Sequence, residues 1–264
     1  MVNKLLKYDL KYMIKNMAIF YILSIFFALT TRILFNMEQS AIINIISQIS
    51  VGCMFAMIVN TLINTIMRSW IRFRDSLYKD ESYLTHTLPV TKNELYNSKF
   101  IQMLIFFFIS FIIILISLFI AYYSKENWLA ITNYIKTITT GLNISTLFFI
   151  TMTIIIIFLE IFNAIQCGFL GIIMGNKMNN SKLGYSVFFG VIIYLIAQAI
   201  ILLLVFIYGL FDSTVMELFK TATINIDVKA FKVLAIISSL LYILIIFIMS
   251  MLCKKELNKG VNIE

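Results

Sequence analysis

Glu160 stands in the middle of the run IIIIFLEIFNAIQCG, a single carboxylate in a stretch that otherwise reads as hydrocarbon. Placing an ionisable group at the centre of a membrane span costs about 2.5 to 3.5 kcal/mol on insertion scales, so its surroundings decide what it does. At helical spacing Thr146, Thr153, Glu160, Asn163, Cys167 and Gly171 share one face. That stripe is expected to face other helices or a wet cavity and not lipid. Two roles stay open for Glu160. One is a structural hydrogen bond to Asn60 or Asn64 in an earlier apolar run, and the other is a place on a substrate path or in a conformational change.

Other residue types that do chemistry are scarce. His86 is the only histidine; a lone histidine outside the apolar runs is read as solvated. No G-x-x-x-x-G-K-[ST] phosphate cradle and no H-E-x-x-H occurs. A pair of intramembrane carboxylates, as an aspartyl protease needs, is missing because only Glu160 qualifies. No Ser or Cys has a base beside it. Cys53 and Cys167 fall in apolar runs and Cys253 at the end of one, with no His or Cys clustering, so neither a disulfide framework nor a metal site is expected. The chain is therefore read as no enzyme, with no catalytic, metal or cofactor-binding residue of its own.

The elements that must position these residues are written in the composition. The chain is 61% hydrophobic and only 13% charged, against about 25% charged residues in soluble domains. Six runs have the roughly 20 apolar residues that cross about 30 Å of hydrocarbon: approximately 17–35, 41–66, 100–123, 143–173, 184–211 and 230–252. The expected fold is an all-α integral membrane protein with six transmembrane helices in a single domain, 1–264. An even number of spans puts both termini on one side. With that side cytoplasmic, the inner segments hold 15 of the 21 Lys and Arg residues, as the positive-inside rule requires. The net charge of +8 is thus an orientation signal, and no nucleic-acid partner is implied. The Lys-rich start superficially resembles a signal peptide, but its apolar run is too long and no small-residue cleavage site follows, so a retained first span is expected.

Ahead of the first run, Lys4, Lys7, Lys11 and Lys15 fall on one helical face, with Leu6, Leu10, Met13 and Met17 opposite. This spacing predicts an interfacial amphipathic helix over 3–16 on the inner leaflet, each Lys adding about 1 kcal/mol of attraction to anionic lipid. On the outer side, Trp128, Ile131, Ile135 and Ile138 recur at helical spacing with Trp128 as interfacial anchor, and a short amphipathic piece surrounds Met216 and Phe219.

The long inner connection, 67–99, carries the only proline, Pro89. Proline disfavours helical geometry at Leu88. After it, Thr91 and Glu94 form the T-x-x-E capping box, with Val90 and Leu95 in staple positions, so a helix should start at Lys92. Before it, Phe73, Leu77, Leu84 and Leu88 fall within about 60° on a helical wheel. The expectation is a short amphipathic helix, or a broken pair, parallel to the membrane.

Within this connection, DESYLTHTLPVTKNELYNSK, residues 80–99, resembles the cytoplasmic signature of ABC-2 type transporter permeases. Tyr83, Leu84, Leu88, Pro89, Val90, Thr91, Lys92, Leu95, Ser98 and Lys99 fit its pattern of Y-L, L-P-V-[ST]-[RK], L and S-K. The motif covers about a twelfth of the chain, and the six-span layout extends the likeness over most of it. The resemblance implies the transmembrane subunit of an ATP-binding cassette transporter in the plasma membrane. It implies as partners a second permease copy or a related permease, and two cytoplasmic ATPase subunits that bind ATP and Mg. A cytoplasmic coupling helix between spans two and three would then dock on the ATPase, with Asp80, Glu81, Ser82, Tyr83, Leu84 and Leu88 as contacts. The family often has a re-entrant helical piece before the last span, for which 211–229 is short and polar.

Two other classes share these residues. A membrane scaffold or sensor would dock a cytoplasmic partner through the same 67–99 loop and move nothing. The other class is a channel or ion-coupled carrier, and a carrier would be expected to have Gly- or Pro-interrupted spans and more intramembrane ionisable groups. The aromatic, Ile-rich runs are compatible with an amphipathic cargo, such as an antimicrobial peptide or a drug, moved outward, and equally with side chains that face lipid.

Overall fold

The computed structural model describes residues 2–38, 40–79, 81–220 and 228–260. These residues form helices and no strand: α1 (Val2–Phe35), α2 (Ala41–Tyr78), α3 (Ser82–Thr87), α4 (Lys92–Tyr122), α5 (Lys125–Gly141), α6 (Thr146–Gly175), α7 (Lys182–Phe211), α8 (Ser213–Lys220) and α9 (Val228–Asn258). Among the described residues, six stretches are long and apolar enough to cross a membrane: Asn3–Phe35, Ala41–Tyr78, Lys92–Tyr122, Thr146–Gly175, Lys182–Phe211 and Ala230–Asn258. This is the architecture of a multi-pass helical membrane protein, and each expected run overlaps one of them, with 123 and 143–145 falling just outside.

Two expected boundaries are not there. Residues 3–16 continue without a break into the first span, and 67–78 are the end of α2 instead of a separate element. Neither junction contains proline or glycine, so no backbone group obliges the helix to stop. At 1.5 Å per residue α1 and α2 are about 51 and 57 Å long, well beyond the hydrocarbon thickness. The inner connection shrinks to 79–91, with α3 inside it.

The chain divides into two compact units, one built from the residues up to Leu129 and one from Ala130 to Asn262. The division falls inside α5, whose exposed side chains include Trp128, Ile131 and Tyr134.

In the first unit α1, α2 and α4 pack on one another and α3 leans on α2. Met13, Met17 and Phe106 form one buried cluster, and Ala28, Met54, Ile58, Ile114 and Ala121 form another. On α1 the lysines at 4, 7, 11 and 15 are exposed, while Met13 and Met17 are turned into the bundle. The apolar stripe read as lipid-facing therefore packs, in its second half, on α4. Hydroxyl pairs run between the helices: Tyr21 and Thr65 meet the Ser110 hydroxyl at 2.8 and 2.6 Å, Ser24 meets Ser117 at 2.9 Å, and Thr30 and Thr31 meet Ser50 at 3.0 and 2.9 Å. Lipid tails are as apolar as leucine, so such small polar contacts supply part of what hydrophobic burial gives a soluble bundle.

In the second unit α6 and α7 form a hairpin, and α9 packs chiefly on α6. Glycines set its spacing. A Cβ on Gly171 would lie 2.5 Å from the backbone of Gly190, and one on Gly175 would collide with Ser186. This is the small-residue contact that lets two membrane helices approach closely. The Ser181 backbone, at φ 47° in the left-handed region, closes the turn between them. Lys177 in this turn bonds to Glu256 near the end of α9, and Lys259 bonds to the other oxygen of Glu256. The expected piece around Met216 and Phe219 is α8, with the Phe219 ring edge-on to Phe206.

Candidate functional site

The 79–91 connection begins where α2 stops at Tyr78 and Lys79 turns to extended backbone. The His86 ring Nε2 lies 3.2 Å from the Leu77 carbonyl oxygen. That carbonyl is one of the acceptors a helix leaves unsatisfied at its C-terminus. His86 is therefore half-buried against α2 and not simply solvated. The wheel that placed Leu84 and Leu88 with Phe73 and Leu77 assumes one continuous helix. Because the chain breaks after Tyr78, Phe73 and Leu77 are buried while Leu84 is 74% exposed.

α3 is a six-residue helix that ends at Leu88, whose backbone is extended (φ −67°, ψ 141°), as Pro89 requires. Tyr83, Leu84 and Leu88 are exposed. Ser82 is fully buried, with a hydroxyl that has no hydrogen-bond partner, so it lies under the presented surface. Asp80 lies outside the described residues. On the far side the capping box forms as expected. The Glu94 amide donates to Thr91 Oγ1 at 3.2 Å, and the Thr91 amide donates to Glu94 Oε2 at 2.9 Å. Leu95 is buried and Val90 half-buried.

Glu81, expected as a partner contact, also has a partner within the chain. Its Oε2 accepts from Arg72 Nη1 at 2.6 Å, with the Glu81 side chain 50% exposed. Arg72 Nε donates to Asp9 Oδ1 at 2.8 Å, and its guanidinium lies 4.5 Å from the centre of the Tyr12 ring. Lys99 Nζ donates to the same Asp9 oxygen at 2.7 Å, and the Ser98 hydroxyl lies 3.4 Å from Asp9 Oδ2. Asp9, Arg72 and Lys99 are each more than nine-tenths buried. One ionic junction thus joins α1, α2, α4 and the residue that starts α3.

Reading by sequence alone assigned Arg72 and Lys99 to topology and passed over Asp9. The signal was there: Asp9 is the single acid among four lysines and lies on the Leu6–Met13 side of the wheel, opposite them. An acid on the buried face needs a buried cation, and Arg72 and Lys99 were the candidates.

The second polar constellation lies in the second unit. Glu160 Oε1 accepts from the Tyr194 hydroxyl at 2.6 Å and from Gln198 Nε2 at 2.8 Å. Tyr242 donates to Gln198 Oε1 at 3.2 Å. Glu160 Oε2 is buried without a hydrogen-bond partner. Asn64 bonds to Asn60 one turn away on the same helix, in an exposed position. Tyr194 and Gln198, both bonded to Glu160, lie four residues apart on α7. Asn163 is fully buried, accepts from the Cys167 thiol at 3.7 Å, and leaves its Nδ2 without a partner. The stripe on α6 divides at Glu160: Thr153 is exposed and bonds back to the Phe149 carbonyl, while Asn163, Cys167 and Gly171 are buried.

Comparison with protein-family models, with curated proteins and with solved structures finds no match to this chain.

Proposed function

We propose that this chain is the permease subunit of an ATP-binding cassette transporter, of the ABC-2 type that residues 80–99 resemble. It works as a homodimer or with a related permease in the plasma membrane, both termini cytoplasmic. The chain itself is no enzyme. Two separate cytoplasmic ATPase subunits bind ATP and Mg and hydrolyse it. The inner part of α1 extends the first span to the leaflet surface with its lysines toward anionic headgroups, and α3 is the coupling helix. The cargo is an amphipathic compound, such as an antimicrobial peptide or drug, moved outward.

One observation carries the reading. α3 presents Tyr83 and Leu84 to the outside while it is fixed at both ends, by Glu81 on the ionic junction and by the capping box on α4. This exposed apolar pair, on a short element between two spans, is the docking surface in this reading. Its stiff attachment to spans is what a transmitted push requires, and no span contains a proline that would absorb the motion as a kink.

The test is assembly. The chain purified from its own membranes should bring down an ATPase with a Walker A motif in a two-to-two complex, and Tyr83→Ala should weaken that association without impairing membrane insertion. A complex with a partner that has no ATPase motif would favour the scaffold reading. Normal ATP-driven transport by both Tyr83→Ala and Glu81→Arg would sink the coupling role of α3.

A further inference from the structure

Charge counting at the ionic junction assigns Glu81 a role other than touching a partner. Asp9 is the only carboxylate among the three buried residues, and it faces two buried cations, Arg72 at 2.8 Å and Lys99 at 2.7 Å. Without Glu81 the group holds an excess positive charge in a place where charge is costly. Glu81 supplies the missing negative charge, and it comes from the docking connection, not from a span. Arg72 is held on three sides, by Asp9 at Nε, by Glu81 at Nη1 and by the Tyr12 ring beneath its plane. A planar guanidinium clamped in this way has one orientation to offer. Glu81 ties the start of α3 to that orientation.

We infer that Glu81 is a positioning residue: through Arg72 it registers α3 on α1, α2 and α4, and the surface that meets the partner is Tyr83 and Leu84. The inference deepens the proposed coupling role and rests on it for the meaning of that registration. The registration itself is a property of the permease alone. Apart from Glu81, α3 is held by the His86 ring, 3.2 Å from the Leu77 carbonyl oxygen near the end of α2. Its six residues are too few to be stable by themselves, so what ties its start to the spans matters.

Two measurements on the full chain in phosphatidylethanolamine–phosphatidylglycerol nanodiscs separate the possibilities. The first is amide hydrogen exchange over 82–88 in the permease alone. Glu81→Gln keeps shape but not charge and should speed exchange there by about tenfold with the spans unchanged; Glu81→Asp, which keeps the charge, should restore most of the protection. Arg72→Lys, which keeps charge and loses the fork, should behave like Glu81→Gln. The second is the affinity of the ATPase subunit and the ATP hydrolysis that the permease stimulates. Glu81→Gln should leave the affinity within about threefold while stimulated hydrolysis falls about tenfold, whereas Tyr83→Ala should weaken affinity by about tenfold. Unchanged exchange in Glu81→Gln together with a large loss of affinity would overturn the inference and make Glu81 a direct contact. If the wild type binds no ATPase, the proposed function fails, and the exchange result by itself upholds or overturns the positioning role.

Discussion

The two polar constellations of this chain solve the same problem in opposite ways. At the junction, charges are buried with opposite charges: two cations share one aspartate, and a half-exposed glutamate completes the set. Around Glu160, a carboxylate in the centre of a span is met by neutral donors only, both on one oxygen, while the other oxygen bonds to nothing. The first arrangement is strong and brittle, because loss of any member strands a charge. The second is weak and tolerant, because interhelical hydrogen bonds in membranes average about 0.6 kcal/mol. The contrast gives the junction the larger structural effect and Glu160 the smaller one.

The sharpest way to break the comparison is Asp9→Asn. It leaves Arg72 and Lys99 buried without their shared anion and should cost about 3 to 5 kcal/mol, read as a fall in the thermal unfolding midpoint of the detergent-solubilised protein. A midpoint close to wild type would mean that the junction is not the brittle member of the pair. Gly171→Val comes next. Its new side chain meets the Gly190 backbone, which cannot rotate away, and overpacking of this kind costs about 1 to 3 kcal/mol. Chemical denaturation in mixed micelles should show it as a lowered midpoint.

How much of this was legible in the sequence follows from the range over which each signal acts. Thr91, Glu94 and Pro89 were readable because capping and proline sterics act between neighbours, and the observed backbone at 88–94 follows them. The six spans were readable because the bilayer imposes a length. The partners of Asp9 were not, because Arg72 and Lys99 lie 63 and 90 residues away and only packing brings them together. Glu160 was found from its cost in hydrocarbon. Its partners Tyr194 and Gln198 were missed because a search for polar residues favours asparagine over a tyrosine that looks like part of an aromatic run. A broken pair was one of the two expectations ahead of Pro89, but the position of the break after Tyr78 was not readable, because a helical wheel has no term for where a helix stops.

Smaller effects sharpen the contrast. Thr91→Ala removes one half of the capping box and should cost about 1 kcal/mol. Hydrogen exchange confined to the first turn of α4 would reveal it even if the global midpoint hardly moves. Tyr194→Phe deletes one of the two donors on Glu160 and should cost about 0.6 kcal/mol, measurable as a shift in the denaturant midpoint with an unchanged slope. Glu160→Gln keeps an acceptor for Tyr194 and Gln198 and removes a carboxylate oxygen that bonds to nothing. Its stability should therefore match the wild type within about 0.5 kcal/mol. A large loss in Glu160→Gln would invert the comparison and make the mid-span group the brittle one. Unchanged transport by the same variant would remove Glu160 from the substrate path.

What α3 touches separates a transporter subunit from a scaffold. A photoreactive amino acid at Tyr83, activated in native membranes, should form a covalent product containing an ATPase with a Walker A motif. The yield should fall when Arg72→Lys loosens the registration of α3. A position 83 that crosslinks only to lipid, or to a partner without an ATPase motif, would contradict the transporter reading.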